Sequence, residues 1–272
     1  MPKFSIITVC FNEAANIRKT LDSIVNQTFT DYELIVVDGG STDGSKELIA
    51  QYGKHIKWWC SEPDSGTYNA MNKGVMHATG EYVNFMNAGD RFYDLKVLEA
   101  VSQSQLDADV IEGYVVDSRK HVHIREKSDD LCFHLFADTL SHQGSFIRRE
   151  LLLSHPYDER YSIVADWKFW LETLFVARHT YAFIDLDIAY YDTTGISGNP
   201  ETVWKERERV VQEMFPPHIV QLIHSYQDAY RLAAVQYTVW LDKHSPKGYQ
   251  LIRKISKRIV KAVKTLSHRG EQ

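Results

Sequence analysis

Two runs of apolar, largely β-branched residues stand near the start of the chain: Phe4 to Cys10 (FSIITVC), which ends before Asn12, and Tyr32 to Val37 (YELIVV), which ends at Asp38-Gly39-Gly40. Short runs apolar on both faces are what buried parallel strands require. Between them Ala14, Ile17, Leu21, Ile24 and Val25 recur at helical spacing, which predicts a helix within 13–27 covering one face of the sheet. Ser41-Thr42-Asp43 offers cap side chains to a second helix, 67–78 predicts a third, and Glu81 to Met86 (EYVNFM) reads as the next strand. Strand and helix alternating in this way predict an α/β chain with an open, mostly parallel sheet and right-handed crossovers. Further on, Asp109–Asp117 and His121–Glu126 predict a hairpin, Ser145–Arg148 a short strand, Val164–Ala177 an amphipathic helix and Thr180–Tyr191 a strand. After Pro200 the pattern is helical in about three segments, parted by Pro216-Pro217 and by Ser245-Pro246.

Open α/β sheets bind ligands outside the carboxyl ends of their strands. The polar groups there are Phe11-Asn12-Glu13, Asp38-Gly39-Gly40, Ser61-Glu62-Pro63-Asp64-Ser65-Gly66 and Asn87-Ala88-Gly89-Asp90, and all four are expected at one rim. Neither GxGxxG nor GxxxxGK[ST] occurs, which argues against a dinucleotide dehydrogenase or a P-loop enzyme. Phe11 suits stacking on a base, or a place in the core. Asp38 and Asp64 suit hydrogen bonds from a base or ribose, or turn and cap duty before glycine. A carboxylate beside a diphosphate repels it unless a divalent cation lies between, and Mg²⁺ or Mn²⁺ takes one or two carboxylates plus phosphate oxygens. Asp90 is placed for that, and a helix starting near Gly66 would turn its N-terminal amides toward the same anion.

Composition narrows the class. With 44% hydrophobic, 25% charged and 12% aromatic residues among 272, the chain is ordinary globular material, not a disordered tail or a stapled miniprotein. No stretch approaches the roughly 20 apolar residues of a membrane span, and Met1 to Ser5 leads straight into a strand pattern instead of a signal sequence, so a cytosolic chain is expected. Cys10, Cys60 and Cys132 are odd in number and lack CxxC spacing, which suggests neither a disulfide framework nor a cysteine metal site. The net charge of −5 conceals an asymmetry: from Lys243 to Gln272 nine basic residues face one acid, Glu271, so the body is acidic and the tail basic. In that tail Ile252, Ile255, Ile259, Ala262, Val263 and Leu266 form an apolar stripe among lysines and arginines. The stripe reads either as an interfacial helix over 247–269 on an anionic membrane surface or as a helix packed on the body with a solvated basic face. Nucleic acid is disfavoured, because the basic residues are confined to the tail and no binding motif accompanies them.

The order ITVCFNE, then IVVDGGSTDGS, then SEPDSGTYNAMNKGVMHATGEYVNFMNAGD resembles the family 2 glycosyltransferases of the GT-A fold, especially those that build bacterial surface polysaccharides. The resemblance spans 3–95 and, less closely, 138–175. It implies a GT-A domain over 1–200, with a nucleotide-sugar half at 1–95 and an acceptor half at 96–200, followed by a helical extension over 201–272. It also implies that Thr8, Phe11, Glu13 and Asp38 hold the nucleotide, with Asn87 beside them, while Asp64, Gly66, Asn69 and Asn72 close over ribose and diphosphate. Asp90 matches the metal-binding Asp, so Mn²⁺ or Mg²⁺ is the implied cofactor. Asp166 matches the general base of inverting members. His142, Gln143 and Trp167 match acceptor-side motifs, with Trp167 or Trp170 offering a face to a sugar. Three departures stand out: the usual D-x-D or D-D pair is here Asn87-Ala88-Gly89-Asp90, with one carboxylate, Asn69 stands where related sequences often have Asp, and Ala165 stands where a Glu is common.

The implied activity is inverting, metal-dependent transfer of a sugar from a nucleotide-diphosphate donor, UDP-linked, to a sugar hydroxyl of a growing, lipid-linked surface glycan on the cytoplasmic face of the inner membrane. The rival readings are a non-catalytic nucleotide-sugar or glycan-binding module, which Gly89 and Ala165 keep open, and a sugar nucleotidyltransferase. The latter would need a basic, Gly-rich phosphate loop after the first strand, and Cys10 to Ala15 has none. Asp166 could also be a helix cap, and His142 could serve a local hydrogen bond.

Overall fold

The computed structural model of the chain describes residues 1–124, 138–192 and 200–231, with a few isolated positions besides. Two compact units divide the chain, Met1–Glu213 and Met214–Gln272. The first half of the larger unit runs β1 (Phe4–Cys10), α1 (Ile17–Val25), β2 (Tyr32–Asp38), α2 (Ser45–Ala50), β3 (Ile56–Ser61), α3 (Thr67–His77), β4 (Tyr82–Phe85), β5 (Arg91–Phe92), α4 (Val97–Gln103) and β6 (Val110–Asp117). A 3₁₀ turn (His142–Gly144), β7 (Ser145–Arg148), α5 (Arg149–Ser154), α6 (Ala165–Trp170), β8 (Tyr181–Tyr191) and α7 (Pro200–Met214) follow, and α6 runs on into a π-helical stretch, Leu171–Val176. The smaller unit contributes α8 (Pro217–Arg231).

The eight strands form one sheet in the order β3-β2-β1-β4-β7-β6-β8-β5. β1 pairs in parallel with β2 from Phe4 opposite Tyr32 to Cys10 opposite Asp38, so the two strands end level and deliver Phe11 and Gly39 side by side. β4 runs parallel on the other flank of β1, and the Met86 and Ala88 amides carry that line forward by donating to the Ile7 and Val9 carbonyls. This seats 87–90 next to 11–13. β7 enters antiparallel to both β4 and β6, so its beginning, not its end, faces the rim, and His142-Gln143-Gly144 arrives beside Asn87. β8 lies parallel to β6 and brings Tyr191 and Asp192 to the same rim.

The core explains the local pattern. Ile17, Thr20, Leu21 and Ile24 of α1 are buried at three- and four-residue intervals against the sheet, and each apolar side chain so buried stabilises the fold by about 1.5–3 kcal/mol. α1 starts at Ile17 and not at Glu13, because the preceding residues serve the rim. Asn12 takes φ +53, its amide donates to Ser41 Oγ, and its Oδ1 accepts from the Thr42 amide. Thr20 is the polar member of the buried stripe for a reason: its hydroxyl donates to the Asp90 carbonyl and accepts from the Gly89 amide, clamping the loop after β4 onto α1.

Among the described residues the expected hairpin after β6 shows a bridge between Val116 and His123 and amide bonds from Asp117 to Val122 and from Ile124 to Val115; Arg125 and Glu126 lie outside the described residues. β5, α4 and α5 are additions to the expected elements. The third C-terminal segment and the basic tail fall outside the described residues, save for isolated positions, so nothing structural is stated of 247–269 as a membrane-binding helix. Among the described residues no helix is long and apolar enough to cross a membrane.

Candidate active site

A cavity of about 440 Å³ opens at the rim where β1, β2, β4 and β8 end. Phe11 stands at this cavity 61% exposed, which removes the core reading of its ring. Gly39 makes room for it: a Cβ there would lie 2.7 Å from Asp64 Oδ2 and 3.3 Å from Phe11 Cδ2. Asp64 is held from below by the Gly66 amide, which donates to its Oδ1 at 2.9 Å. Gly66 sits at φ +127, a conformation that glycine adopts without the steric cost of a Cβ. A flat exposed ring and a fixed carboxylate thus border one mouth, with Glu13 on the same lining.

Deeper in, Asp90 is 5% exposed. Its Oδ1 accepts from the Asp192 amide and its Oδ2 from Gln143 Nε2, both at 3.0 Å. Burial pushes its carboxyl up to about 6 against these hydrogen bonds and the nearby His142, and the Asp192 charge pushes the same way. Asn87 lines the cavity with its amide nitrogen 3.1 Å from His142 Nε2, while its Oδ1 is buried without a hydrogen-bond partner.

Across the cavity, Asp166 occupies the first turn of α6, one residue inside the helix start, so the capping alternative does not describe it. Oδ1 accepts from the Trp167 amide at 2.8 Å and lies 2.9 Å from the Tyr68 hydroxyl, and Oδ2 is 3.2 Å from His142 Nδ1. With the Asn87 amide facing Nε2, the imidazole proton belongs on Nδ1, directed at Asp166. Burial first, and then the charge of Asp166, push the Tyr68 phenol well above its ordinary value, so it stays protonated. The loop before α6 is fixed by Glu206 of α7, whose carboxylate accepts from the Ser162 amide and hydroxyl and from the Ile163 and Val164 amides. Burial opposes ionisation of Glu206, but these bonds outweigh it and hold its carboxyl below the usual range.

A buried carboxylate, an exposed ring and a second, clamped carboxylate around one cleft of a GT-A-like sheet match what a sugar transferase needs, and residues 5–151 match the model of glycosyl transferase family 2. The chain belongs to that family. It is a glycosyltransferase. A PGL/p-HBAD biosynthesis glycosyltransferase of Mycobacterium bovis is 36% identical over 176 residues, 62% of this chain and 68% of that protein. Among solved structures, S. aureus TarS residues 1–349 in complex with UDP-GlcNAc superpose at TM-score 0.68 and 17% identity, over 87% of this chain and 75% of that one. The chain spans 44% of the longer TarS crystal structure. The mannosyltransferase PcManGT of Pyrobaculum calidifontis, in complex with GDP-Man and Mn²⁺, superposes at TM-score 0.60 and 18% identity over 97% of this chain and 82% of that one. These two likenesses show the fold.

In the transferase, nine of the residues singled out from the sequence line the cavity: Phe11, Glu13, Asp64, Gly66 and Asn87 with Asp90, His142, Gln143 and Asp166. Five do not line it, and the structure places them as follows. Thr8 is fully buried within β1, its hydroxyl unpartnered. Asp38 is also fully buried, and its carboxylate is spent on Ser41 and Ser61, tying the β2 and β3 loops together. Asn69 and Asn72 hold the 157–159 loop through Glu159 and the Tyr157 backbone. Trp167 is 1% exposed, donates its indole N–H to the Leu135 carbonyl and carries Arg207 over its ring, so it offers no face to a sugar, and Trp170 is equally buried. Tyr68, Glu206 and Asp192 were missed. Asp192 obeys the same strand-end rule that found Asp90, applied to β8.

Proposed function

We propose that this glycosyltransferase is an inverting, metal-dependent enzyme that moves a sugar from a UDP-linked donor to a sugar hydroxyl of a growing, lipid-linked surface glycan. The observation that carries the reading is the presence of Asp90 and the anchored Asp166 on one cavity. Phe11 offers a stacking face to the base, and Asp64 beside it accepts from base or ribose. The acceptor hydroxyl attacks the anomeric carbon opposite the departing nucleotide, the C–O bond to the diphosphate breaks, and the hydroxyl proton passes to Asp166. The three groups anchoring Asp166 set its orientation and leave lone pairs for that proton. His142 and Gln143 serve as acceptor-side walls, although each also braces a carboxylate.

The residues fit a divalent cation. The Asp90 oxygens and the orphaned Asn87 Oδ1 are a hard, all-oxygen set of the kind that Mg²⁺ or Mn²⁺ accepts. Asp90 would hold the ion, which when bound neutralises charge on the leaving diphosphate. The neighbours in complex with UDP-GlcNAc and with GDP-Man and Mn²⁺ support a nucleotide-sugar donor and a metal. The apolar stripe and basic flanks of 247–269 support attachment to the cytoplasmic face of a membrane, where a lipid-linked acceptor would lie.

The test is a panel of UDP- and GDP-sugars read as nucleotide release, with Mn²⁺ present or removed by chelator. Release from a UDP-sugar that depends on Mn²⁺ is expected. Equal release without metal would sink the metal requirement, and no release from any donor would sink the catalytic reading. Removal of residues after Pro246 is expected to free the protein from anionic vesicles; continued binding would return the tail to a solvated face.

A further inference from the structure

The segment 87–90 carries a single carboxylate, so a cation there would meet only one protein charge from its own loop. Tertiary structure supplies another. Asp192, the residue after β8, lines the same cavity as Asp90 and Asn87, and its amide donates to Asp90 Oδ1 at 3.0 Å. Gly89 stands beside it. That residue takes φ +105, and a Cβ on it would lie 3.5 Å from Asp192 Cβ and 3.6 Å from Asp192 Oδ2. The space into which a side chain at 89 would project is therefore bordered by the Asp192 carboxylate. Where the loop lacks a second acid, the end of β8 brings one.

Two carboxylates on the lining of a cleft meant for a diphosphate repel that anion. Mg²⁺ and Mn²⁺ reverse the sign, since they are bound through one or two carboxylates plus phosphate oxygens and keep waters in the remaining positions. Asn87, which lines the same cavity, carries a third oxygen nearby, its buried Oδ1 without a hydrogen-bond partner.

We propose that Asp192 is the second carboxylate of the divalent-cation site, replacing across the sheet the acid that 87–90 lacks. The proposal rests on the donor-site reading of Asp90 above. It makes the role of Asp192 depend on the metal: with the cation, Asp192 holds the donor's diphosphate indirectly; without it, Asp192 pushes the diphosphate away.

Mn²⁺ binding to the full chain, followed by electron paramagnetic resonance with UDP present, tests this without turnover. Wild type is expected to bind Mn²⁺, Asp90→Asn to lose it, and Asp192→Asn to bind at least tenfold more weakly. In chelator, Asp192→Asn is expected to bind UDP as well as wild type or better, which also shows that the variant is folded; the Asp192 amide that bonds Asp90 is kept. Asp192→Ser, read the same way, covers a failure of Asn to fold. Wild-type Mn²⁺ affinity in both Asp192 variants, with Asp90→Asn defective, overturns the proposal and leaves the Asp90 reading standing. No Mn²⁺ binding by wild type overturns both.

Discussion

The Tyr68 hydroxyl and Asp166 Oδ1 meet at 2.9 Å although 98 positions separate them in the chain. α3 thereby reaches across the cavity to orient a carboxylate on α6. The same hydroxyl lies 2.6 Å from the Ile163 carbonyl, so its single proton is shared between the two acceptors. Asp166→Asn keeps the shape of the side chain but removes the proton acceptor, and a fall in kcat of about 10²–10⁴-fold is expected with the donor KM little changed. Tyr68→Phe removes one of the groups that aim the carboxylate; a hydrogen bond to a charged group contributes about 1.5–3 kcal/mol, so a kcat loss of roughly tenfold or more is expected. Steady-state kinetics decide. Wild-type turnover in Asp166→Asn would remove it as the base.

Gly39 leads to a different separation of effects. Its missing side chain leaves the space in which Asp64 and Phe11 sit. Gly39→Ala forces one of them aside at an exposed mouth, where the core is not involved. UDP affinity is expected to fall by about tenfold, the size of one lost hydrogen bond, with the melting temperature nearly unchanged. Unchanged calorimetric affinity for UDP would show that neither group contacts the nucleotide.

Trp167 tests whether burial or recognition governs that side chain. Because it is buried with its N–H bonded to Leu135, Trp167→Ala is expected to destabilise the fold by about 3–5 kcal/mol, seen in denaturant unfolding. Trp167→Phe retains much of the packing and is expected to keep the acceptor KM. A stable Trp167→Ala protein with a raised acceptor KM would restore a sugar-stacking role.

Asp158 gives the pH dependence. Hydrogen bonds from Arg160, and after them the Lys168 charge, lower its carboxyl to about 2 despite partial burial. A carboxyl depressed in the folded state stabilises it above the unfolded value, roughly 4, and that contribution is lost as pH falls through about 2. Wild type should therefore melt above Asp158→Asn at pH 5 to 7, with the gap closing between about pH 4 and pH 2. A gap independent of pH in that window would mean that charge is not the source.

Local features of the chain were legible before any fold was known. Phe4–Cys10, Tyr32–Asp38, Thr67–His77 and Ser145–Arg148 fall where apolar runs, helical spacing and turn residues put them, because those signals belong to consecutive residues. The rule that ligands gather at strand ends also led to Phe11, Asp64 and Asp90. It could not sort Asp38 from Asp64: both follow strands and precede glycine or serine, but only register decides that Ser41 and Ser61 close over Asp38 while the gap at Gly39 opens Asp64 to the cavity. Nor could it show that Asn69 and Asn72 face the 157–159 loop, since helical spacing tells which residues share a face, not what that face meets.

The sequence by itself determined the α/β alternation, the family and the rim loops, through hydrophobic period and motif order. Tertiary structure alone decided which residues line the cavity. β7 is inserted antiparallel, so His142 and Gln143 arrive from the start of a strand, and β8 returns Asp192 to Asp90 from 102 positions away. Strand order reflects how the whole sheet buries its two faces, and that free energy is shared among residues distant in the chain. No window of neighbouring residues contains it.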